Sequence, residues 1–510
     1  MNYFELKIPP VRDQRMTVSD SFSGNGCEMM DCAKSGCMLR YNRRFRQSGT
    51  CQMSISILMA ATLENAVLIM HGPIGCGATL HTAGVGAAKG KLNRGKAAQP
   101  LVWLSTNLKE SDVVNGGEEK LIETIRYADR EFRPEIIFVI STCAPNIIGD
   151  DVESIVVRAQ EESSAIITAI HCPGFRSRVI SSAYDAFYHA ILRHFPFEPE
   201  PFRDFTPLDP GDPAYEAERE RYRHKKNHTV NLWRLESVGA ADEREITRLL
   251  NAIGLSVRIV AEYASRDEIR FVSQAGLNVS MCNVHDEYVM KYLQEKFGTP
   301  YIVAGIPIGF RGTRAWLLAI ARHFGLEKEM EKLADYEEKQ VREAIEPLLP
   351  AIRGKRVLMC GGIVRVGEDA VLLQELGMDV IGVRAYHYDD TVLPLYERIT
   401  EELPKTLQYS VSTERFELAN QIRRIKPDIM VSHVGVQGDI AKFGVPSVQS
   451  FDTEKGFLAY NGIFTRVRSI AFGLENTSYQ KRLSEHIELP YKDSWYEKDP
   501  FYYVGEESAG

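Results

Sequence analysis

Short apolar runs alternate with longer segments of helical periodicity along most of this 510-residue chain. In the first third, residues 118–132 are predicted to form an amphipathic helix, and Asp150 is the predicted N-cap of a helix ending near residue 162. The predicted strands are 66–70, 101–105, 136–140 and 165–169. This order predicts a parallel, doubly wound sheet, whose ligands lie beyond the carboxyl ends of the strands. Cys76, Cys143 and Cys172 all follow such ends.

The same order recurs twice more along the chain, after a stretch at residues 200–228 that is rich in proline and charge, as linkers are. Predicted strands of these two units are 229–232, 256–261, 277–280 and 301–303, then 356–359, 379–383, 429–432 and 447–449. Predicted helices are 242–253, 265–275, 286–296, 327–347 and 369–376. The three units are alike in architecture but not in sequence, and the predicted fold class is α/β.

Composition narrows the choice of partners and compartment. The net charge is -8 and no long block of Lys and Arg occurs, which disfavours nucleic acid. No apolar run approaches the roughly 18–20 residues that span a bilayer. The amino terminus, with Asp13, Arg15 and Asp20, is too polar for a secretory signal. We therefore expect a cytoplasmic protein.

The chain contains nine cysteines, an odd number. In a long intracellular chain this favours metal ligation or buried packing over a disulfide framework. Cys27, Cys32 and Cys37 follow at five-residue steps, which are not helical, and neighbouring glycines suggest an irregular loop. They would bind an extra cluster or pack against a neighbouring subunit. Cys360 is interpreted as a buried apolar residue, and Cys172 similarly.

Cys51, Cys76 and Cys143 each open a turn, and glycines around Cys76 leave room for a bulky anionic group such as an iron–sulfur cluster. Three segments carry a family resemblance: His71-Gly-Pro-Ile-Gly-Cys-Gly, Ser105-Thr-Asn-Leu-Lys-Glu-Ser-Asp-Val-Val-Asn-Gly-Gly, and Thr142-Cys-Ala-Pro-Asn-Ile-Ile-Gly-Asp-Asp. They resemble the catalytic subunits of the nitrogenase superfamily from about residue 50 to about residue 475.

The resemblance implies three Rossmann-like, doubly wound domains of the nitrogenase α-subunit type. Their predicted bounds are 51–215, 216–350 and 351–510, after an amino-terminal extension at 1–50. Cys51, Cys76 and Cys143 match the ligands of an 8Fe–7S P-cluster shared with a homologous β-subunit in an α2β2 heterotetramer. The segment Gly116-Gly117 matches the region that faces a 4Fe–4S reductase homodimer, and MgATP would bind to that reductase.

The resemblance also implies a second site. Cys282 matches the cysteine that holds one end of a large iron–sulfur cofactor, with Tyr288 six residues on. This cysteine argues against the protochlorophyllide-reductase branch of the superfamily. Gly361 and Gly362 match the start of a cofactor-binding segment. At the far end of the cofactor, where nitrogenases have His-Ser-Trp-Asp, this chain has Gln449-Ser-Phe-Asp452.

Gln449 is a poor replacement for imidazole on molybdenum. Three further segments depart from the nitrogenase pattern, since polar or cationic groups of that pattern are replaced at Ile180 and Tyr184, within 433–435 and at Val364. These losses disfavour a homocitrate-bearing cofactor and favour a simpler iron–sulfur–carbide cluster. His387 and His433 would supply protons or a ligand, or are structural.

Three functions fit these features to different degrees. The favoured one is a nitrogenase-like reductase, closest to methylthio-alkane reductase, in which this chain is the large catalytic subunit and cleaves carbon–sulfur bonds of small thioethers. Its catalytic candidates are Gln449, His387, His433 and Tyr288. The alternatives are a scaffold for nitrogenase cofactor assembly and a nitrogenase α-subunit.

Overall fold

The computed structural model describes residues 2–39, 51–199, 211–233, 239–433, 435–489 and 491–503. The strands in this part of the chain are β1 (Val18–Ser19), β2 (Phe22–Asn25), β3 (Ala66–His71), β4 (Val102–Ser105), β5 (Ile136–Ser141), β6 (Ile166–His171), β7 (Thr229–Trp233), β8 (Ser256–Val260), β9 (Leu277–Ser280), β10 (Tyr301–Ile302), β11 (Arg356–Gly361), β12 (Asp379–Ala385), β13 (Tyr388–Asp389), β14 (Gln408–Val411), β15 (Ile429–Ser432) and β16 (Ser447–Gln449).

The α-helices of the described residues connect and cover these strands. They are α1 (Arg12–Arg15), α2 (Gly26–Ser35), α3 (Gln52–Ala60), α4 (Ala78–Leu92), α5 (Glu110–Asn115), α6 (Glu118–Phe132), α7 (Cys143–Ile148), α8 (Val152–Gln160), α9 (Ser182–His194), α10 (Pro213–Asn227), α11 (Ala240–Ala252), α12 (Arg266–Arg270), α13 (Asn283–Phe297), α14 (Gly309–His323), α15 (Glu327–Ile345), α16 (Leu349–Ile352), α17 (Ile363–Glu375), α18 (Leu393–Glu402), α19 (Arg415–Ile425), α20 (Gln437–Ala441), α21 (Ala459–Glu475), α22 (Ser478–His486) and α23 (Asp493–Glu497).

The chain divides into two compact units. Unit 1 contains Met1–Arg15, Thr50–Glu236 and Thr247–Val303, and unit 2 contains Met16–Gly49, Ser237–Ile246 and Ala304–Gly510. Unit 1 has two parallel sheets, of order β4-β3-β5-β6 and β10-β9-β7-β8, and unit 2 has a six-stranded sheet of order β16-β15-β11-β12-β14-β2. The predicted α/β fold with parallel sheets is confirmed. The three predicted domain bounds stay predictions.

The first sheet of unit 1 packs against helices on both faces, which explains why its strands are apolar at most positions. Leu68 and Met70 of β3 belong to one apolar cluster, whereas Val67 and Ile69 of the same strand belong to another. Helices α3, α4 and α9 cover the first face, and α6 and α8 cover the second. Such continuous apolar runs are typical of parallel sheets between two layers of helices.

The amino-terminal region differs from its prediction as an irregular loop. Strand β2 joins the large sheet by antiparallel pairing with β14, and Cys27 and Cys32 both lie on α2. The helix begins at a capping box, in which Asn25 bonds to the backbone of Glu28 and the Glu28 side chain bonds back. This local signal outweighs the neighbouring glycines. Cys32 and Cys37 form a disulfide, contrary to the expectation of metal ligation or packing for them.

Several helix bounds also differ from the predictions. The supposed linker contains α10, which begins at an Asp212 cap and has no buried residue, and residues 200–210 lie outside the described part. Helices α14 and α21 were not predicted from the sequence, and both contain glycine, which has a low helix propensity. Gly462 lies within α21, where a Cβ would meet the Phe457 backbone at 2.2 Å. Among the described residues, no helix is long and apolar enough to cross a membrane.

An ion pair lies in the core of unit 2. The Arg466 guanidinium on α21 donates to both carboxylate oxygens of Asp369 on α17, each at 2.9 Å. It also donates to the carbonyls of Gln449 and Ser450, each at 2.5 Å, and thereby fixes the carboxyl end of β16. Both charged side chains are 1% exposed.

We expect Arg466→Met to lower the free energy of unfolding by about 3–5 kcal/mol, because the Asp369 charge would stay buried without its partner. Urea unfolding followed by circular dichroism measures the change. The matched control is Arg424→Met, whose partner Asp499 is as exposed as Arg424 itself. The control should cost at most about 1 kcal/mol. Equal losses for the two variants would contradict this assignment.

Candidate functional site

Three predicted cysteine ligands lie at the beginnings of helical turns in unit 1. Cys51 directly precedes α3, Cys76 lies in the 3-10 turn Ile74–Gly77 after β3, and Cys143 is the first residue of α7. Strands β3 and β5 are neighbours with His71 opposite Ser141, so the turns that carry Cys76 and Cys143 leave the same edge of the sheet. Cys51 is exposed, whereas the other two are half-buried.

The backbone at Gly174 brings Cys51 and Cys143 together. The Gly174 N–H donates to Cys143 Sγ at 3.2 Å. A Cβ built on Gly174 would lie 3.1 Å from Cys51 Cβ, 3.7 Å from Cys51 Sγ and 3.8 Å from Cys143 Sγ. A side chain at residue 174 would therefore fill the space beside both sulfurs. Small backbone with an N–H directed at sulfur is suited to a sulfur-rich anionic group.

Glycines at the base of the Cys76 turn are required by close packing. A Cβ on Gly72 would lie 2.1 Å from Thr142 Oγ1, and one on Gly77 would lie 2.8 Å from Met70 Cε. The turns bearing Cys76 and Cys143 thus approach each other more closely than any larger residue would allow. Among the described residues, no three His, Cys, Asp or Glu side chains are grouped so that they could hold one metal ion.

The surroundings of Cys76 disfavour its thiolate form. Burial raises the pKa of Cys76, and the nearby Cys143 and Cys51 raise it further, because each thiolate disfavours the next. A cation among them would reverse this effect.

Cys172 is a fourth thiol nearby. It is buried, and burial is the main cause that raises its pKa, with Cys51 and Cys143 adding to the rise against a hydrogen bond from Ser56. A thiol held neutral in this way fits the interpretation of Cys172 as a packing residue.

Cys282, the predicted cofactor ligand, also belongs to unit 1. It follows β9, is 6% exposed and occupies the N-cap position of α13, where its side chain does not cap the helix. Its backbone N–H donates to Ser280 Oγ at 3.0 Å. Ser280 in turn donates to buried Asp286, so the turn that carries Cys282 is held by a polar network.

Tyr288 and Tyr184 lie on helices near that turn. The Tyr288 hydroxyl is 2.9 Å from His189 Nδ1, and its ring packs edge-on against Phe4 at 4.9 Å. These contacts are those of a core residue, so a catalytic role for Tyr288 stays a prediction. Tyr184 stacks on the His285 ring at 3.7 Å.

The remaining predicted residues belong to unit 2, at the carboxyl ends of its parallel strands. A Cβ on Gly361 would lie 3.7 Å from His433 Cβ, and Gly362 is the exposed N-cap position of α17. The His433 ring lies 4.9 Å from the Phe451 ring and 5.2 Å from the Tyr386 ring, both edge-on. This edge of the sheet is therefore lined by aromatic and imidazole rings.

Gln449 ends β16, next to this aromatic group, and its side chain is half-buried. The cation nearest in sequence to the replaced cofactor arginine is Arg365, one residue after Val364. It lies over the Phe451 ring at 5.5 Å, and it lowers the pKa values of two buried carboxyls, Asp242 and Asp369, against the burial that raises them. Those carboxylates compensate its charge.

His387 follows Tyr386 in the loop after β12. Its two ring nitrogens are buried, and neither has a hydrogen-bond partner within the part of the chain that the structure describes. The nearest carboxylate oxygen, Asp389 Oδ2, is 3.6 Å from Nε2. A ring in this state has a nitrogen available for a ligand or a proton.

Asp150 does not cap a helix as predicted. Asp151 is the N-cap of α8 and accepts from Ser154 N–H, whereas the Asp150 carboxylate accepts from Gly117 and lies 3.0 Å from His71 Nε2. The contacts of His71 with Asp150 and Thr106 were not predicted from the sequence. The one relevant signal was the Gly-Asp-Asp segment, but two adjacent aspartates do not reveal which one caps the helix and which one is free to bond to His71.

A model of the family described as "Nitrogenase component 1 type Oxidoreductase" matches residues 51–475. The chain belongs to this family. Proteins of the nitrogenase component 1 family bind iron–sulfur clusters of the P-cluster and cofactor types, and they work with a β-subunit and an ATP-dependent reductase. The resemblance stated from the three sequence segments is thereby confirmed.

The curated relatives of this nitrogenase component 1 chain include nitrogenase alpha chains and NifE proteins. The nitrogenase molybdenum-iron protein alpha chain of Methanothermobacter marburgensis is 25% identical, over 82% of this chain and 86% of that protein. The nitrogenase iron-molybdenum cofactor biosynthesis protein NifE of Methanosarcina barkeri is 27% identical, over 78% and 81%. A solved structure titled "Nitrogenase Cp1 at pH 5" has a TM-score of 0.69 at 20% identity and covers 88% of this chain and 93% of that one, which shows a shared fold.

We expect alkylation of Cys76 in the iron-free protein to require a higher pH than that of an ordinary cysteine, because burial and two thiols raise its pKa. Cys143→Ser should lower the pH midpoint, since one neighbouring negative charge is removed. Iodoacetamide labelling at a series of pH values, read by mass spectrometry, measures this. Cys360→Ser in unit 2 is the control and should leave the midpoint unchanged. A midpoint in Cys143→Ser equal to that of the wild type would contradict the geometry.

Proposed function

We propose that this chain is the large catalytic subunit of a nitrogenase-like reductase that cleaves carbon–sulfur bonds of small methylthio-alkanes. The observation that carries the proposal is the set of residues at the carboxyl edge of the six-stranded sheet of unit 2. Tyr386, His433 and Phe451 place rings there, and Gln449 ends the neighbouring strand. Aromatic rings make favourable contacts with thioether sulfur. The cations that act on Tyr386, Arg384 and Arg415, are already paired with Glu417 and Asp439, which leaves less charge to compensate a ligand bearing several negative charges.

The thiols fit a cluster of the P-cluster type. Cys51, Cys76 and Cys143 would hold it, and Gly174 leaves space beside two of the sulfurs and donates an N–H to one. Cys282 would hold one end of a large iron–sulfur–carbide cofactor without homocitrate. When bound, these groups would store electrons delivered by an ATP-dependent 4Fe–4S reductase. The homologous β-subunit would complete the P-cluster site in an α2β2 assembly.

The residues of unit 2 would handle substrate and protons. A methyl thioether takes up two electrons and two protons, its carbon–sulfur bond breaks, and methanethiol and a hydrocarbon leave. The rings of Tyr386 and Phe451 would hold the apolar substrate and exclude water. His387, with both ring nitrogens lacking a hydrogen bond to the described residues, would hold a proton for the departing carbon or sulfur. His433 is the second candidate for this role.

A scaffold for cofactor assembly is the second candidate function. It is favoured by the identity to NifE proteins, which at 25–27% is at least as high as the 23–25% to nitrogenase alpha chains. Such a scaffold would also keep the cysteines and lack the distal histidine. It would not turn over a thioether.

The deciding experiment uses the complex purified with its own reductase and MgATP. We expect methane and methanethiol from dimethyl sulfide, ethylene, methanethiol and water from a 2-hydroxyethyl methyl thioether, and no ammonia from dinitrogen, with the gases measured by gas chromatography. Absence of thioether turnover, together with transfer of a cofactor to an apo-nitrogenase, would overturn the proposal and establish the scaffold function.

Cys282→Ala should abolish hydrocarbon formation and leave the iron of the three-cysteine site in place, because the two sites use different thiols. Cys76→Ala should remove that iron as well. Iron analysis and electron paramagnetic resonance of each variant measure the two sites separately. The control is Cys360→Ala, which removes a buried thiol of unit 2 that we do not assign to a cluster. Hydrocarbon formation by Cys282→Ala at the wild-type rate would refute the role of this cysteine.

A further inference from the structure

The imidazole of His71 lies in a buried hydrogen-bond chain of unit 1. His71 is the last residue of β3 and is 0% exposed. Its Nε2 is 3.0 Å from Asp150 Oδ2, and its Nδ1 is 3.1 Å from Thr106 Oγ1. Both ring nitrogens are therefore engaged, and each partner comes from a different turn at the carboxyl edge of the sheet.

The contacts of Thr106 indicate which groups donate and which accept in this series of hydrogen bonds. Its hydroxyl oxygen accepts the Gly72 N–H at 3.1 Å, so the hydroxyl proton is available to His71 Nδ1. The ring then carries its proton on Nε2 and donates it to Asp150. Burial lowers the pKa of His71 more than the nearby Asp150 carboxylate raises it, which agrees with a neutral ring of this tautomer.

One end of this series of hydrogen bonds reaches an exposed segment. The two oxygens of Asp150 accept the Gly117 N–H at 3.0 and 3.2 Å. A Cβ on Gly117 would lie 2.7 Å from Asp150 Oδ2 and 2.9 Å from His71 Cε1, so only glycine allows this approach. Gly117 follows α5, whose Val114 is 82% exposed. The segment 110–117 thus has an apolar, solvent-facing side and a buried anchor.

The other end of this series of hydrogen bonds reaches the turns that carry Cys76 and Cys143. The His71 carbonyl accepts from the Thr142 N–H at 3.2 Å and from its hydroxyl at 2.9 Å, and Cys143 is the next residue. Gly72, bonded to Thr106, begins the turn to Cys76. Asp150 and His71 thus form a continuous hydrogen-bonded route from Gly117 to both turns, and contiguous networks of this kind can carry coupling between sites.

We propose that His71 is a positioning residue, which with Asp150 couples the exposed segment 110–117 to the turns of Cys76 and Cys143. A protein that delivers electrons and binds this segment would thereby set how fast those electrons enter the site. The inference rests on the proposed function, because the binding protein is the ATP-dependent reductase named there. It adds the route by which binding at the surface reaches the thiols.

The test uses Asp150→Asn in the complete complex. This variant keeps the shape of the side chain and removes the charge that accepts from Gly117 and His71. We expect its oxidised cluster to be re-reduced by the reductase with MgATP at least about tenfold more slowly, since a hydrogen bond to a charged group is lost. Re-reduction by dithionite alone, the iron content and the resonance spectrum should stay unchanged.

The matched control is Asp151→Asn, which makes the same change one residue away. Asp151 caps α8 through Ser154 and does not bond to Gly117 or His71 in the described structure. It should be re-reduced by the reductase at the wild-type rate. Stopped-flow absorbance measures both variants beside the wild type.

Each other result overturns the inference in a recognisable way. Reductase-driven rates of Asp150→Asn equal to those of the wild type would show that the network does not couple the two ends. Equal slowing with reductase and with dithionite, or loss of iron, would show a structural role alone. If the wild type itself is not reduced by the reductase with MgATP, the proposed function fails, and this inference fails with it.

Discussion

The parallel pairing of β3 with β5 is the constraint on which the first site depends. It sets His71 opposite Ser141, so that the chain leaves the sheet twice at one edge, towards Cys76 and towards Cys143. The two exits approach so closely that a Cβ on Gly72 would overlap the Thr142 hydroxyl. The glycines of this region are therefore explained by packing as much as by the group that the cysteines would bind.

Unit 2 uses the same edge of a parallel sheet for a different surface. There the rings of Tyr386 and Phe451 lie edge-on to the His433 ring, at the carboxyl ends of β11, β12, β15 and β16. The charges beside them have partners in the interior, since Arg466 pairs with Asp369 and buried Arg384 on β12 lies 3.8 Å from Glu417. Parallel sheets of the same architecture thus have thiols at the carboxyl edge in unit 1 and aromatic rings at the carboxyl edge in unit 2. The residues of the turns that follow the strands make this difference.

Strand prediction worked best where burial left one explanation for an apolar run. The segments 277–280 and 429–432 were predicted with the bounds that the structure has, and every residue of these two strands is buried. The edge strand 447–449 was also predicted with its bounds, although it is only half-buried. Helices α14 and α21 were missed, and their glycines have tertiary causes that the sequence does not reveal. Gly309 lies against the Leu372 side chain, and Gly462 lies against the Phe457 backbone. Helix α2 was missed because the five-residue spacing of its cysteines and the neighbouring glycines suggested a loop.

The sequence by itself determined the family and the parallel α/β fold, because the motif segments and the order of strands and helices are local features of the chain. The roles of the thiols stay predictions. Which of two adjacent aspartates caps α8 and which one bonds to His71 was decided only by the tertiary structure. The same holds for Gly174, which lies 31 residues after Cys143 and yet donates to its sulfur. These contacts join turns that are distant along the chain. Their partners depend on sheet register and close packing, which local sequence patterns do not encode.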